Sequence, residues 1–104
     1  MKYSVEFTKL SKADLERFDN SVAKVIRKLI NKVSENPLSK KEGGYGEPLG
    51  NKNNINLTGY YKIKLLKHGV RVVYKVVIEE KNMRIIVIAA RTDDEVYKIA
   101  ISRI

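Results

Sequence analysis

Tyr60-Tyr61-Lys62-Ile63-Lys64-Leu65-Leu66-Lys67-His68-Gly69-Val70-Arg71-Val72-Val73-Tyr74 alternates residue types on either side of a short Lys-His-Gly interruption, the pattern of two strands joined by a turn. Side chains on a strand point alternately to two faces. Lys62 and Lys64 therefore share one face, and Tyr61, Ile63 and Leu65 the other. The two ammonium groups stand roughly 7 Å apart at the backbone. On the second strand Val70, Val72, Tyr74, Val76 and Ile78 form one row and Arg71, Val73, Lys75 and Val77 the opposite row. A hairpin register that sets Arg71 beside the two lysines makes a cationic cluster on a stiff sheet, and such a cluster suits a phosphate.

Outward from the hairpin, the chain reads as helices before it and a strand and helix after it. Tyr3, Val5 and Phe7 alternate with polar residues, which predicts an opening strand with one buried face. Ser11-Lys12-Ala13-Asp14 is close to a capping box and predicts a first helix to about Phe18. After the break at Asp19-Asn20-Ser21, the spacing of Val22, Val25, Ile26, Leu29, Ile30 and Val33 predicts an amphipathic helix from Ser21 to Glu35, ended by Asn36-Pro37. Residues 38–59 hold five glycines, Pro48 and the polar run Asn51-Lys52-Asn53-Asn54, and predict a long surface loop with one short pairing around Ile55 to Leu57. Gly43-Gly44-Tyr45-Gly46 follows a helix and matches no phosphate-cradle spacing, so it reads as connection.

Beyond the hairpin, Glu79-Glu80-Lys81-Asn82 is a turn, and Met83 to Arg91 a third strand of an antiparallel meander. Thr92-Asp93-Asp94-Glu95 opens a terminal helix with Thr92 as cap and Glu95 reaching back, Val96, Ile99 and Ala100 lying on its inner face. The expected fold is α+β: a small antiparallel sheet with an N-terminal strand, a helical hairpin, a three-strand meander and a C-terminal helix, with the helices on one face. At 104 residues, this is one domain spanning 1–104.

Lys and Arg total 21 against 12 Asp and Glu, a formal charge of +9 and a pI near 9.8. A domain this basic is drawn to polyanions, of which nucleic acid is the commonest. No signal peptide or membrane-spanning run is visible, and a cytoplasmic location is the default. With no cysteine and one histidine, His68, placed in a turn, the composition speaks against a zinc site, and no cofactor is expected. Asp93, Asp94 and Glu95 fan around a helix start and read as dipole complements rather than metal ligands. A serine triad lacks its histidine. Cations and tyrosines must carry any catalysis.

RNA offers a reaction that needs little else, because its 2′-hydroxyl attacks the adjacent phosphodiester, leaving a 2′,3′-cyclic phosphate and a free 5′-hydroxyl. A lysine serves as base only if its ammonium form is destabilised, and crowding among Lys62, Lys64, Arg71 and Arg91 would do that. Arginine donors aimed at the phosphoryl oxygens stabilise the transition state. Tyr97 would stack on a base.

Tyr61-Lys62-Ile63-Lys64-Leu65, Gly69-Val70-Arg71-Val72-Val73-Tyr74, and Arg91 followed by Glu95-Val96-Tyr97 together resemble the RelE branch of the RelE/ParE toxins of bacterial type II toxin–antitoxin systems. The resemblance covers nearly the whole chain. It implies a ribosome-dependent mRNA endonuclease that cuts the codon exposed in the A site. On the matching positions it implies that Lys62 and Lys64 act as base and charge stabilisers, with the division between them open. By the same resemblance Arg71 binds phosphate, Arg91 aids the leaving group and Tyr97 orients the nucleotide. The basic face of the second helix, Lys24, Arg27, Lys28 and Lys32, would then meet ribosomal RNA. A cognate antitoxin is the implied protein partner, covering the cationic site or displacing the last helix. Two alternatives stay open: a ParE-type toxin, which shares the fold and poisons DNA gyrase, and an inactive relative that only binds.

Overall fold

The computed structural model of the protein describes residues 2–52 and 55–104. Its elements in chain order are β1 (Ser4–Phe7), α1 (Lys9–Glu16), α2 (Asn20–Val33), β2 (Glu47–Lys52), β3 (Ile55–Leu65), β4 (Val70–Val77), β5 (Asn82–Ala89) and α3 (Asp93–Ser102). The strands form one sheet in the order β1-β5-β4-β3-β2. β2 to β5 pair antiparallel, as the meander predicts, and Lys64 stands opposite Arg71 in the β3–β4 register. The turn between those strands is a short 3-10 segment, Leu66–His68, closed by Gly69 at φ 64°. A left-handed backbone of this kind favours glycine.

Four expectations are corrected. β1 joins the sheet parallel to β5, Ser4 to Phe7 running beside Asn82 to Ile85, so the sheet is mixed. The crossover through α1 and α2 makes a parallel partner possible. Residues 47–52, expected as loop, form strand β2 against β3, with a register shift between Pro48 and Gly50. Pro48 and Gly50 mask the strand in the sequence, and both are tolerated because β2 is an irregular edge. Residues 53 and 54 of that expected loop lie outside the described residues.

Instead of lying on one face, the helices cover both faces of the sheet. α1 and α2 bury Leu15, Ile26 and Ile30 against the row that includes Ile63, Val72 and Tyr74. On the other face α3 buries Val96, Tyr97 and Ala100 against Leu57, Val73 and Val87. A register shift at Val73/Tyr74 leaves Ile86 as an extra residue, so Ile86 and Val87 both serve the α3 core. A sheet buried on both faces carries near-continuous apolar runs, as β4 and β5 do.

The fourth correction concerns α1. It starts at Lys9 under a Thr8 cap whose hydroxyl accepts from the Ser11 amide at 3.1 Å, and it ends at Glu16. Asp14, expected in a capping box, is buried instead. Its carboxylate accepts from the Ile88 amide at 3.0 Å and takes two hydrogen bonds from Arg103, at 2.6 and 3.1 Å. Arg103 also donates to the Ile86 carbonyl at 2.9 Å, so one buried ion pair ties the end of α3 to α1 and β5.

α2 follows its reading closely. Asp19 caps it by accepting from the Val22 amide at 2.9 Å, and Ile26, Ile30 and Val33 are buried. Val25, expected inward, is exposed, and Ala23 takes the buried position. The segment after α2 is anchored by Tyr74, whose hydroxyl donates to the Pro37 carbonyl at 2.8 Å while its ring stacks on Tyr61 at 5.7 Å. Burial raises the Tyr74 hydroxyl pKa far above that of free tyrosine, which keeps it a proton donor.

Candidate functional site

Strand alternation and the Lys64–Arg71 pairing deliver Lys62, Lys64 and Arg71 to the α3 face of the sheet, beside the first turn of α3. Thr92 caps that helix, with its hydroxyl accepting from the Glu95 amide at 3.3 Å and Glu95 reaching back to the Thr92 amide at 3.4 Å. Asp93, the first residue inside the cap, therefore points its carboxylate at the strands. One oxygen lies 3.4 Å from Lys62 Nζ and 3.4 Å from Lys64 Nζ, and the other accepts from Arg71 Nε. Three cations share one carboxylate.

Tyr97, one turn further along α3, completes the cluster. Lys62 Nζ donates to its hydroxyl oxygen at 2.7 Å and lies 5.4 Å from the ring centroid. Tyr97 is also part of the α3 core, 7% exposed, so packing fixes the ring. Arg71 is held on its outer side by the carbonyls of Gly69, at 3.2 Å, and Arg91. Glu47 of β2 spans outward from the cluster, 3.8 Å from Lys62 and 3.6 Å from Lys40.

The pKa directions follow from this geometry. For Asp93, burial opposes ionisation, but the Arg71 hydrogen bond and the Lys62 and Lys64 charges outweigh it and hold the carboxyl below its usual range. For Lys62, burial disfavours the ammonium, yet the Tyr97 hydrogen bond and the Asp93 charge prevail and raise its pKa. The expectation that crowding destabilises the ammonium is overturned at Lys62, because the sequence reading counted the cations without the carboxylate between them.

Arg91 is placed differently from the other four. Its carbonyl joins the cluster, but its exposed guanidinium pairs with Glu95 at 3.3 Å. It lies on the rim of a cleft of about 590 Å³ that also includes Arg17, Lys98 and Arg103. The structure thus gathers Lys62, Lys64, Arg71 and Tyr97 and leaves the Arg91 side chain beside them. Lys24, Arg27, Lys28 and Lys32 are all exposed on α2, which covers the face of the sheet opposite the Asp93 cluster. Reading Asp93 as a helix-dipole complement missed its main contacts. Its place one residue past the cap and four residues beyond the strand that pairs with the one carrying Arg71 is the signal that could have found them.

Chemically, the cluster is an anion site filled by the protein's own carboxylate. A phosphodiester carries the same single negative charge on paired oxygens, which matches the donors that hold Asp93. No curated protein sequence matches the chain significantly. Solved structures do. A double arginine-to-alanine mutant of the E. coli toxin RelE in the free state is 25% identical, with a TM-score of 0.76 over 100% of this chain and 99% of that one. The same mutant in complex with an antitoxin RelBc peptide gives 0.69 at 25% identity, again over 100% and 99%. The Mycobacterium tuberculosis toxin–antitoxin complex RelBE2 shares the fold, with a TM-score of 0.63 at 20% identity over 89% of this chain and 95% of that one. The family model for the ParE toxin of type II toxin–antitoxin systems matches residues 5–97, and with the mixed sheet and helices of the RelE structures this places the chain in the RelE/ParE superfamily of type II toxins, on its RelE branch.

Proposed function

We propose that this toxin is a metal-independent mRNA endonuclease acting on the codon in the ribosomal A site. The observation that carries the reading is the convergence of Lys62, Lys64 and Arg71 on one carboxylate beside the Tyr97 hydroxyl. A phosphate that displaces Asp93 inherits these donors. The 2′-oxygen of the upstream nucleotide attacks phosphorus, the bond to the 5′-oxygen breaks, and the products are a 2′,3′-cyclic phosphate and a 5′-hydroxyl.

In this reading Arg71 and Lys62 neutralise the phosphoryl charge, because Lys62 is held in its ammonium form. Lys64, paired with the same carboxylate, works with Lys62 as base and charge stabiliser, and Tyr97 orients the nucleotide. Arg91 stabilises the charge on the departing 5′-oxygen after swinging off Glu95, an exposed pair that costs little to break, and water supplies the proton of the 5′-hydroxyl. Lys24, Arg27 and Lys28 meet ribosomal RNA on the far face. The partner that silences the toxin in the cytoplasm is a cognate antitoxin, as the RelE complexes with RelB suggest.

Purified toxin added to ribosomes programmed with a defined mRNA tests this. The reading requires a cut inside the A-site codon bearing a cyclic phosphate, and intact mRNA would sink it. A gyrase-poisoning toxin is the second reading, favoured by the ParE name of the matching family model. Its signature is cleaved DNA in a gyrase supercoiling assay with mRNA untouched.

A further inference from the structure

We propose that Tyr45, with Lys32 and Lys40, forms a second nucleotide subsite that stacks a base next to the scissile phosphate. The inference rests on the endonuclease reading and adds a site to it. Tyr45 lies in the glycine-rich connection between α2 and β2, and it is 41% exposed. It borders a cleft of about 450 Å³ that also touches Lys32, Lys40, Glu47, Lys64 and Leu66. Lys32 Nζ stands 5.7 Å from the centre of its ring.

Backbone hydrogen bonds and tight packing fix the course of the loop on either side of this ring. The Tyr45 amide donates to the Asn36 carbonyl at 3.0 Å, Gly44 donates to Ser39 at 2.9 Å, and Gly46 donates to Leu38 at 3.0 Å. Neither flanking glycine has room for a side chain: a Cβ would meet the Leu38 carbonyl at 2.1 Å from Gly44 and the Tyr74 hydroxyl at 2.2 Å from Gly46. An aromatic ring turned to solvent on a hydrogen-bonded loop is an arrangement for binding.

Charge and continuity identify the occupant as single-stranded RNA. Three lysines border the cleft against one glutamate. Lys64 belongs both to the cleft and to the Asp93 cluster, and Glu47 links Lys40 to Lys62. The cleft wraps the β3 edge just beyond the last β2 pair, Glu47 with Lys62, and so joins the two faces of the sheet. A strand whose phosphate lies on Lys62, Lys64 and Arg71 passes directly into it. Cations that track a backbone beside an aromatic platform are the usual means of binding single strands without reading sequence.

The test is single-turnover cleavage on ribosomes programmed with synthetic mRNA, intact or abasic at either nucleotide flanking the scissile phosphate. At one of those positions, base removal should lower wild-type kcat/KM by about 10- to 100-fold. Tyr45→Ala should show the same loss on intact mRNA and no further loss on the abasic one, whereas Tyr45→Phe retains activity. Lys32→Gln with Lys40→Gln should raise KM and leave kcat unchanged. The inference is overturned if Tyr45→Ala, verified as folded by its melting curve, cuts at the wild-type rate, or if the two losses multiply. Unchanged cleavage with weakened capture of an acidic antitoxin peptide would also overturn it and make the cleft a protein-docking site. A wild type that cuts no mRNA removes the underlying reading, an outcome distinct from either of these.

Discussion

Arg71 and Asp93, 22 residues apart in the chain, meet as an ion pair between the β3–β4 hairpin and the first turn of α3. On the proposed endonuclease reading the carboxylate occupies the place of a substrate phosphate, and the free toxin then carries its own competitor. Asp93→Asn removes the charge with little change of shape. It should lower the apparent KM for programmed ribosomes by roughly threefold to tenfold at low salt, with the gain shrinking as salt rises. An unchanged KM would mean that Asp93 does not face the substrate.

The same carboxylate links stability to pH. Its folded pKa lies below the ordinary 3.8, so the unfolded chain binds the proton first as pH falls. The stabilisation is therefore present above that value and is lost as pH falls from about 3.8 through the depressed folded pKa. Acid melting curves should show this loss in the wild type and a flatter profile in Asp93→Asn. Identical profiles would contradict it.

Asp14 and Arg103 are a different kind of pair, buried and hydrogen-bonded to the backbone of β5. Removing one partner of a buried pair strands the other, at a cost of about 3–5 kcal/mol. Asp14→Ala should lower the unfolding free energy in urea by that amount and shift the melting temperature by more than about 10 °C. A change below about 1 kcal/mol would show that the pair is solvated.

Two glycines rank opposite to their backbone angles. Gly69 has φ 64° but open space where a Cβ would go, so Gly69→Ala should cost only about 1 kcal/mol. Gly46 has no positive φ, yet its Cβ would strike the Tyr74 hydroxyl and break the Tyr74–Pro37 bond. Gly46→Ala should cost about 2–3 kcal/mol. Thermal melts of both variants decide the order.

The hairpin was legible in the sequence because period-2 alternation puts Lys62 and Lys64 on one face of their strand, whereas the placing of Arg71 beside them depends on the cross-strand register that pairs it with Lys64. The α2 helix and the Thr92–Glu95 cap were legible for a similarly local reason. The parallel seat of β1 was not, since Ser4–Asn82 pairing depends on a long-range choice between sheet edges. β2 was hidden by Pro48 and Gly50, whose local preference is overridden by burying Leu49 beside Leu57. Asp14 and Asp93 were read as local helix-end devices, and both turn out to serve distant arginines. Carboxylates near a helix start satisfy either role, and only the three-dimensional partner distinguishes them.

The most direct test of the central claim is mapping of mRNA 5′ ends in cells after induction of the wild type, Arg91→Ala and Tyr97→Phe. The last variant keeps the buried ring and removes only the hydroxyl that Lys62 holds. The account predicts growth arrest by the wild type with new 5′-hydroxyl ends inside translated codons, and weakening of those cuts by at least about 10-fold in both variants. Arrest with no codon-positioned ends, accompanied by DNA damage, would contradict it and assign the toxin to gyrase.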